Sequence, residues 1–354
     1  MNSSVFNKLF IIGNGFDKAH GYHTSYSDFR KWMEEMLLVV FPNLPKDGNE
    51  HLIPDEEPEI PSVLINGHGG EIPDDKQSLY LLMWLLYYNL GIEADWSNFE
   101  EALYDLDLEA VINNNDGFVE SSARDREGDV NPFYVAQNYA ELASDLRTSV
   151  EQITQLFARW IEDVVLFDKP RLPIGSKMDE ESLYLTFNYT ETLEKIYKVQ
   201  PCLVDHIHGL RQKAWNYYDT ESPFPNPMGK IIVGHGNDHS RGFNPEYIEK
   251  ETILEETIRN LKKPLDKILR DHAEFWSLIY HGVVKEVYSF GFSFASVDLP
   301  YIEQIVISLK EGKDVTWYLN TYSDTQDDNG IVWNYVYEKR IRACGFKGEF
   351  GRYS

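Results

Sequence analysis

The chain is 354 residues long, 42% hydrophobic and 14% aromatic, enough for one large domain or two modest ones around a sizeable core. Its 33 Lys and Arg against 58 Asp and Glu leave a net charge of −25, so broad adhesion to nucleic acid or to an anionic membrane is not expected. Two cysteines, Cys202 and Cys344, and no C-x-x-C spacing exclude a cysteine zinc site and argue against a disulfide framework.

Residues 8–24 read KLFIIGNGFDKAHGYHT. The unbroken run Leu9, Phe10, Ile11 and Ile12 predicts a buried parallel strand. Gly13-Asn14-Gly15 follows, a turn where a ligand can approach the backbone and where amides can form an anion-binding concavity. A short helix from Phe16 or Asp17 would turn its N-terminus toward a phosphate. A plain strand-to-loop turn explains the same residues. Lys18 occupies the third glycine position of G-x-G-x-x-G, so a dehydrogenase fingerprint is not supported.

Residues 25–40 carry Phe29, Trp32, Met33, Met36 and Leu37 at helical spacing. Residues 42–76 read as a long loop and 78–90 as an apolar helix closed by Gly91. Ser97 with Glu100 reads as a capping box, which explains Glu100 without chemistry. Residues 113–131 read as a polar surface loop and 133–167 as one long helix. Strands are expected at 182–187, 203–207, 230–233, 287–290 and 315–319, and helices at 190–197, 245–272, 299–309 and 332–341. Pro264 is expected to kink or split the longest of these. The pattern predicts an α/β fold whose central, mostly parallel sheet has about six strands. Residues 1–24 and 168–354 would form a Rossmann-like nucleotide-binding domain, with 25–167 a helical insertion between the first and second strands. The first residues lack the apolar core of a signal peptide, and stretch 79–90 is too short to cross a bilayer. A reducing cytoplasm is the expected setting.

Ligands of open parallel sheets bind beyond the carboxyl ends of the strands. Each expected strand is followed there by small or polar residues: Gly13 to Asp17, Thr186 to Thr190, His206 to Gly209, Gly234 to Asn237, and Gly291 to Ser293 with Asp298. Asn188 offers one acceptor and two donors, suited to orienting a ribose or a water, although Asn after a strand is also a common turn former. Only one of His206 and His208 is expected to face a given site, and His208, nearer the strand end, is preferred as a general base. His235 and His239 have i, i+4 spacing, but Gly234 and Gly236 argue against a regular helix there, and no metal is predicted. H-E-x-x-H, G-x-S-x-G and Walker motifs are all missing.

The string Ile11-Ile12-Gly13-Asn14-Gly15-Phe16-Asp17, with His20-Gly21 and Thr24-Ser25-Tyr26, resembles the opening of the AbiH abortive-infection family. Trp96 to Glu100, Phe187 to Thr190, His206 to Gly209 and Ser289 to Ser293 through Asp298 fit the same family. The resemblance implies a bacterial cytoplasmic protein acting in defence against phage. A more distant resemblance is to sirtuin-like domains, through Gly13 and Gly15, Thr186 and Asn188, His208 and Gly209, and Gly291, Ser293 and Asp298. It implies a sirtuin-like arrangement in which Asn188 and His208 flank the nicotinamide ribose of NAD. Gly13, Asn14, Gly15, Phe16, Asp17, Thr186, Gly291, Ser293 and Asp298 would then line the NAD site. The turn departs from the sirtuin Gly-Ala-Gly-Ile-Ser, and the four-cysteine zinc module is absent, which favours NAD cleavage over deacylation. The expectation is an NAD-consuming effector acting on a small-molecule nucleotide, with self-association left open. The rivals are a non-enzymatic nucleotide sensor, a partner-dependent defence protein and, against the charge, a nuclease.

Overall fold

The computed structural model describes residues 6–46, 52, 58–61, 63–65, 71–73, 75–91, 96–125, 127–179, 181–211, 231–239, 242, 247–325 and 330–354. Strand β1 (Lys8–Ile12) opens the chain, followed by the five-residue helix α1 (Gly15–Ala19). Next come α2 (Tyr26–Val40), a hairpin of β2 (Val63–Ile65) and β3 (Glu71–Pro73), α3 (Asp75–Leu90), α4 (Phe99–Ala102), α5 (Leu108–Asn113), α6 (Asp116–Ser122), α7 (Pro132–Glu151) and α8 (Ile153–Asp163). The second half contains β4 (Ser182–Thr186), β5 (Val204–His206), α9 (Ile248–Asn260), α10 (Leu265–Asp271), α11 (Ala273–His281), β6 (Glu286–Phe290), α12 (Leu299–Ser308), β7 (Thr316–Asn320), α13 (Trp333–Ala343) and β8 (Glu349–Tyr353).

The differences from expectation have local causes. Pro264 separates α9 from α10, as a residue without an N–H must. The long helix expected over 133–167 breaks at Gln152, the C-cap of α7. The stretch read as a loop over 113–131 contains α6, and that over 42–76 contains the β2–β3 hairpin. Ile231 to Val233 form no strand, and Lys230 lies outside the described residues. Asn98 stands at the N-cap position of α4 without a side-chain cap bond, and the Glu100 carboxylate pairs with Lys263 Nζ at 2.8 Å.

Six strands form one all-parallel sheet in the order β5-β4-β1-β6-β7-β8. Counted as they enter the sheet, this is 3-2-1-4-5-6, the doubly wound order whose switch point lies between the first and fourth strands. Those strands are β1 and β6. Leu9, Phe10, Ile11 and Ile12 of β1 are fully buried, as a central parallel strand covered on both faces requires. Leu9, Ile11, Leu183, Leu185, Val287, Trp317 and Leu319 pack with Phe275 and Trp276 of α11 and with Tyr301, Ile302 and Ile305 of α12. On the other face Tyr184, Phe10, Tyr288 and Tyr318 stack in register across four strands, with successive centroids 5.1, 5.1 and 4.7 Å apart. Each such pair adds about 0.5–1.5 kcal/mol beyond burial. The ladder ends over Gly351 of β8, where a Cβ would sit 2.5 Å from the Tyr318 ring.

The chain divides into two compact units. The sheet unit comprises Met1–Ser25, Ile161–Ile232 and Pro264–Ser354. The second unit comprises Tyr26–Trp160 and Val233–Lys263. It therefore also takes in residues 233–263, which the sequence reading leaves with the sheet. Its interior is aromatic, with Phe29 against Phe99, Phe157 and Trp160, beside a buried Arg30–Glu34 pair. Among the described residues no helix is long and apolar enough to cross a membrane.

Candidate functional site

Parallel register delivers three loops to the carboxyl edge of the sheet. Ile12 pairs with Thr186 on one side and with Phe290 on the other, and Thr186 pairs with His206. Backbone bonds continue past the strands, from Phe187 N to Ile12 O at 2.8 Å and from Ile207 N to Thr186 O at 3.1 Å. The segments carrying Gly13, Asn188 and His208 therefore start side by side.

The glycines serve loop-to-loop contact. Gly13 N donates to Phe290 O at 3.0 Å, Gly15 N to Gly291 O at 2.9 Å, and Phe16 N to Gly13 O at 2.9 Å. A Cβ on Gly13 would lie 2.5 Å from Gly291 O, and one on Gly15 would lie 2.6 Å from Gly291 Cα. Gly291 itself has φ +64°, a left-handed conformation that glycine adopts without penalty. These amides are thus already committed to carbonyls, and the anion concavity expected of the turn is not formed by them. Helix α1 is a five-residue turn that begins within this contact.

Asn188 is the opposite case. Its backbone is held at both ends: its N–H donates to Thr186 Oγ1 at 3.1 Å, and its carbonyl lies 3.0 Å from His206 Nδ1. The residue is 5% exposed, and neither the amide oxygen nor the amide nitrogen makes a hydrogen bond of normal length, although the amide still pulls on the nearby Asp17 carboxyl. Leaving such a group unpaired costs about 1–3 kcal/mol. His208 lies on the neighbouring segment, its ring centroid 5.3 Å from Phe187 and 6.3 Å from Tyr189, and its Nε2 3.3 Å from the Tyr301 hydroxyl. Strand β5 ends at His206 and the chain then turns, so the two histidines enter different surroundings.

Behind Asn188 is a sealed polar cluster. Asp17, 1% exposed, receives Thr190 Oγ1 on Oδ2 at 2.5 Å and Thr192 Oγ1 on Oδ1 at 2.7 Å, and the two hydroxyls lie 3.0 Å apart. Burial pushes the Asp17 carboxyl up, outweighing the opposing pull of Thr190, Thr192, His20 and Asn188. The geometry agrees. A carboxylate accepts both hydroxyls and leaves the Thr190–Thr192 contact without a proton, whereas a neutral carboxyl fills it by donating Oδ2–H to Thr190, which then donates to Thr192. His20 Nδ1 lies 2.7 Å from Phe16 O, and Nε2 lies 3.1 Å from the Tyr197 hydroxyl.

The chain matches the model of the bacteriophage abortive infection family AbiH over residues 9–321. It belongs to the AbiH family. Among curated proteins and among solved structures, none matches it.

In this AbiH protein the other expected site residues have traceable duties. Asn14 is tied to Thr24, its Nδ2 donating to Thr24 O at 2.8 Å and its Oδ1 accepting from Thr24 Oγ1 at 2.6 Å. Thr186 holds the Asn188 amide. Ser293 is exposed and offers its carbonyl to Arg340, and Asp298 stands at the N-cap of α12. Asp17 has both oxygens occupied, so it does not present an open carboxylate to a ligand. His235, in the second unit, spends Nε2 on Ile258 O at 2.9 Å and Nδ1 on Asn237 N–H at 3.2 Å. Sequence reasoning preferred His208 to His206, gave Thr190 no role of its own, and passed over Thr192 and Tyr301. The run Phe187-Asn188-Tyr189-Thr190-Glu191-Thr192 shows two hydroxyls at i, i+2, but nothing in it names Asp17 as their partner.

Proposed function

We propose that this AbiH protein binds NAD at the carboxyl edge of its sheet and hydrolyses it to nicotinamide and ADP-ribose. The observation that carries the reading is the buried, unpartnered carboxamide of Asn188 on a backbone fixed at both ends. A carboxamide supplies an acceptor and two donors, which match a ribose hydroxyl and a water together. The doubly wound strand order supports a dinucleotide as the ligand class.

In this reading the bond between nicotinamide and ribose C1′ breaks, and its electron pair leaves with nicotinamide. Water forms the new bond to C1′, and its proton passes to His208. Asn188 orients the ribose and that water. The Gly13 to Phe16 turn shapes the floor of the site, and the N–H groups of Gly13, Gly15 and Phe16 are already engaged with carbonyls.

The test is nicotinamide release by the purified chain. Turnover that falls about 10²–10⁴-fold in His208→Ala, and is also lost in Asn188→Ala, supports the assignment. NAD binding without release would make the protein a nucleotide sensor. Neither binding nor release would remove NAD from its function.

A further inference from the structure

We propose that His206, held by Glu194, is a positioning residue that fixes Asn188 for its ligand. The inference rests on the reading of Asn188 as the ligand-facing residue. The geometry begins with the two ring nitrogens of His206. Nδ1 lies 3.0 Å from the Asn188 carbonyl and Nε2 lies 2.9 Å from Glu194 Oε1. A carbonyl only accepts, and so does a carboxylate. Both contacts are hydrogen bonds only when the pair holds its proton, as imidazolium and carboxylate or as imidazole and carboxylic acid. The neutral, carboxylate-facing alternative must surrender one of the two.

The surroundings favour keeping the proton. Burial alone pushes the His206 imidazolium toward losing it, but the Glu194 carboxylate, the Asn188 carbonyl and the Asp205 carboxylate together raise its pKa above the ordinary value. Glu194 comes from a single π turn over Leu193–Tyr197, and Asp205 precedes His206 on β5 with its Oδ1 2.6 Å from His272 Nδ1. The turn stands alone rather than inside a longer α-helix. Here it places Glu194 against His206 while Thr192, just before it, bonds Asp17. The Asn188 carbonyl is thereby held from the β5 side and its N–H from Thr186 on β4. The side chain in between hangs from a backbone held on both sides, which is what a recognition group needs.

The full chain is labelled on asparagine and histidine nitrogen and followed by NMR, alongside NAD turnover, in wild type, His206→Ala, His206→Gln and Glu194→Gln. The wild type is expected to give one sharp Asn188 side-chain amide pair and a His206 titration midpoint above the ordinary histidine value. His206→Ala is expected to broaden or split the Asn188 pair and to lower kcat more than about tenfold with KM within about twofold, as loss of transition-state positioning does. His206→Gln, whose amide can donate to the same carbonyl, is expected to recover both. Glu194→Gln is expected to lower the His206 titration midpoint by about 1–3 pH units. An Asn188 pair unchanged in His206→Ala, or a His206 midpoint unmoved in Glu194→Gln, overturns the proposal. If wild type cleaves no NAD, the NMR result still decides the positioning role, and only the enzymatic reading falls.

Discussion

Gly15 and Gly291 meet backbone to backbone: Gly15 N–H donates to Gly291 O at 2.9 Å, and a Cβ on either would lie 2.6 Å from the other's Cα. Neither backbone can yield, because each is the first stretch beyond a central strand. Gly291→Ala is therefore expected to combine the left-handed penalty, about 1–2 kcal/mol, with an overpacking cost of about 1–3 kcal/mol. Gly330→Ala is the control, since Gly330 has φ +76° but no atom within 4 Å of the added carbon. Urea denaturation should show Gly291→Ala losing clearly more stability than Gly330→Ala. Equal losses would mean that the loop contact contributes little.

The Asp17 ring predicts a direction of pH dependence. The folded-state pKa of Asp17 lies above its ordinary 3.8, so its stabilising contribution is complete below that value and is lost as pH rises through the folded pKa. Asp17→Asn keeps a donor and an acceptor facing Thr190 and Thr192 and has nothing to titrate. It should hold the wild-type acid-side stability and flatten the decline seen on raising pH. Thr190→Val and Thr192→Val each leave a buried oxygen unpaired, at about 1–3 kcal/mol. A wild-type stability that rises with pH, with the same slope in Asp17→Asn, would contradict the neutral ring.

Arg211 and Glu191 give the opposite sign. The Arg211 side chain is fully buried, its Nε 2.7 Å from Glu191 Oε2, with Nη1 on the carbonyls of Ile161 and Val164. Burial works against the Glu191 charge, but Arg211 and Lys195 hold its carboxyl down at about 2. Its contribution is present above the unfolded value of 4.5 and is lost as pH falls through about 2. Glu191→Gln should remove this acid limb. Arg211→Met, which strands a carboxylate and two carbonyls, should cost about 3–5 kcal/mol. A loss under about 1 kcal/mol in thermal or chemical denaturation would show that solvent already satisfies them.

Function and stability should part company at Asn188. Because its amide has no partner, Asn188→Ala removes an unsatisfied buried group and is expected to leave the melting temperature unchanged or raised. The same variant is expected to lose NAD turnover. A drop of several degrees with activity retained would make Asn188 a structural residue.

The sequence disclosed the parts of the fold that local pattern dictates. Four apolar residues before a glycine turn define β1, and Pro264 marks a helix boundary, because in both cases the cause lies within a few positions. Strand β8 was missed because Glu349, Gly351 and Arg352 interrupt any apolar run, and Gly351 is needed by Tyr318, a neighbour on another strand. Glu100 looked like a cap because Ser97 stands three residues before it, but a buried lysine far along the chain claims it. The Asn188 segment could be read as a post-strand position. That its carbonyl is taken by His206 depends on where β5 stops, which no spacing rule supplies.

The stacked rings of the sheet give the molecule an internal optical gauge. Burial pushes the Tyr184 phenol up to about 12, and burial with the neighbouring Glu286 carboxylate pushes Tyr288 higher still. Phenolate absorbs near 295 nm whereas phenol does not, so in an alkaline titration these rings stay dark until late. The late part of that absorbance curve therefore times the opening of the sheet, with no label attached.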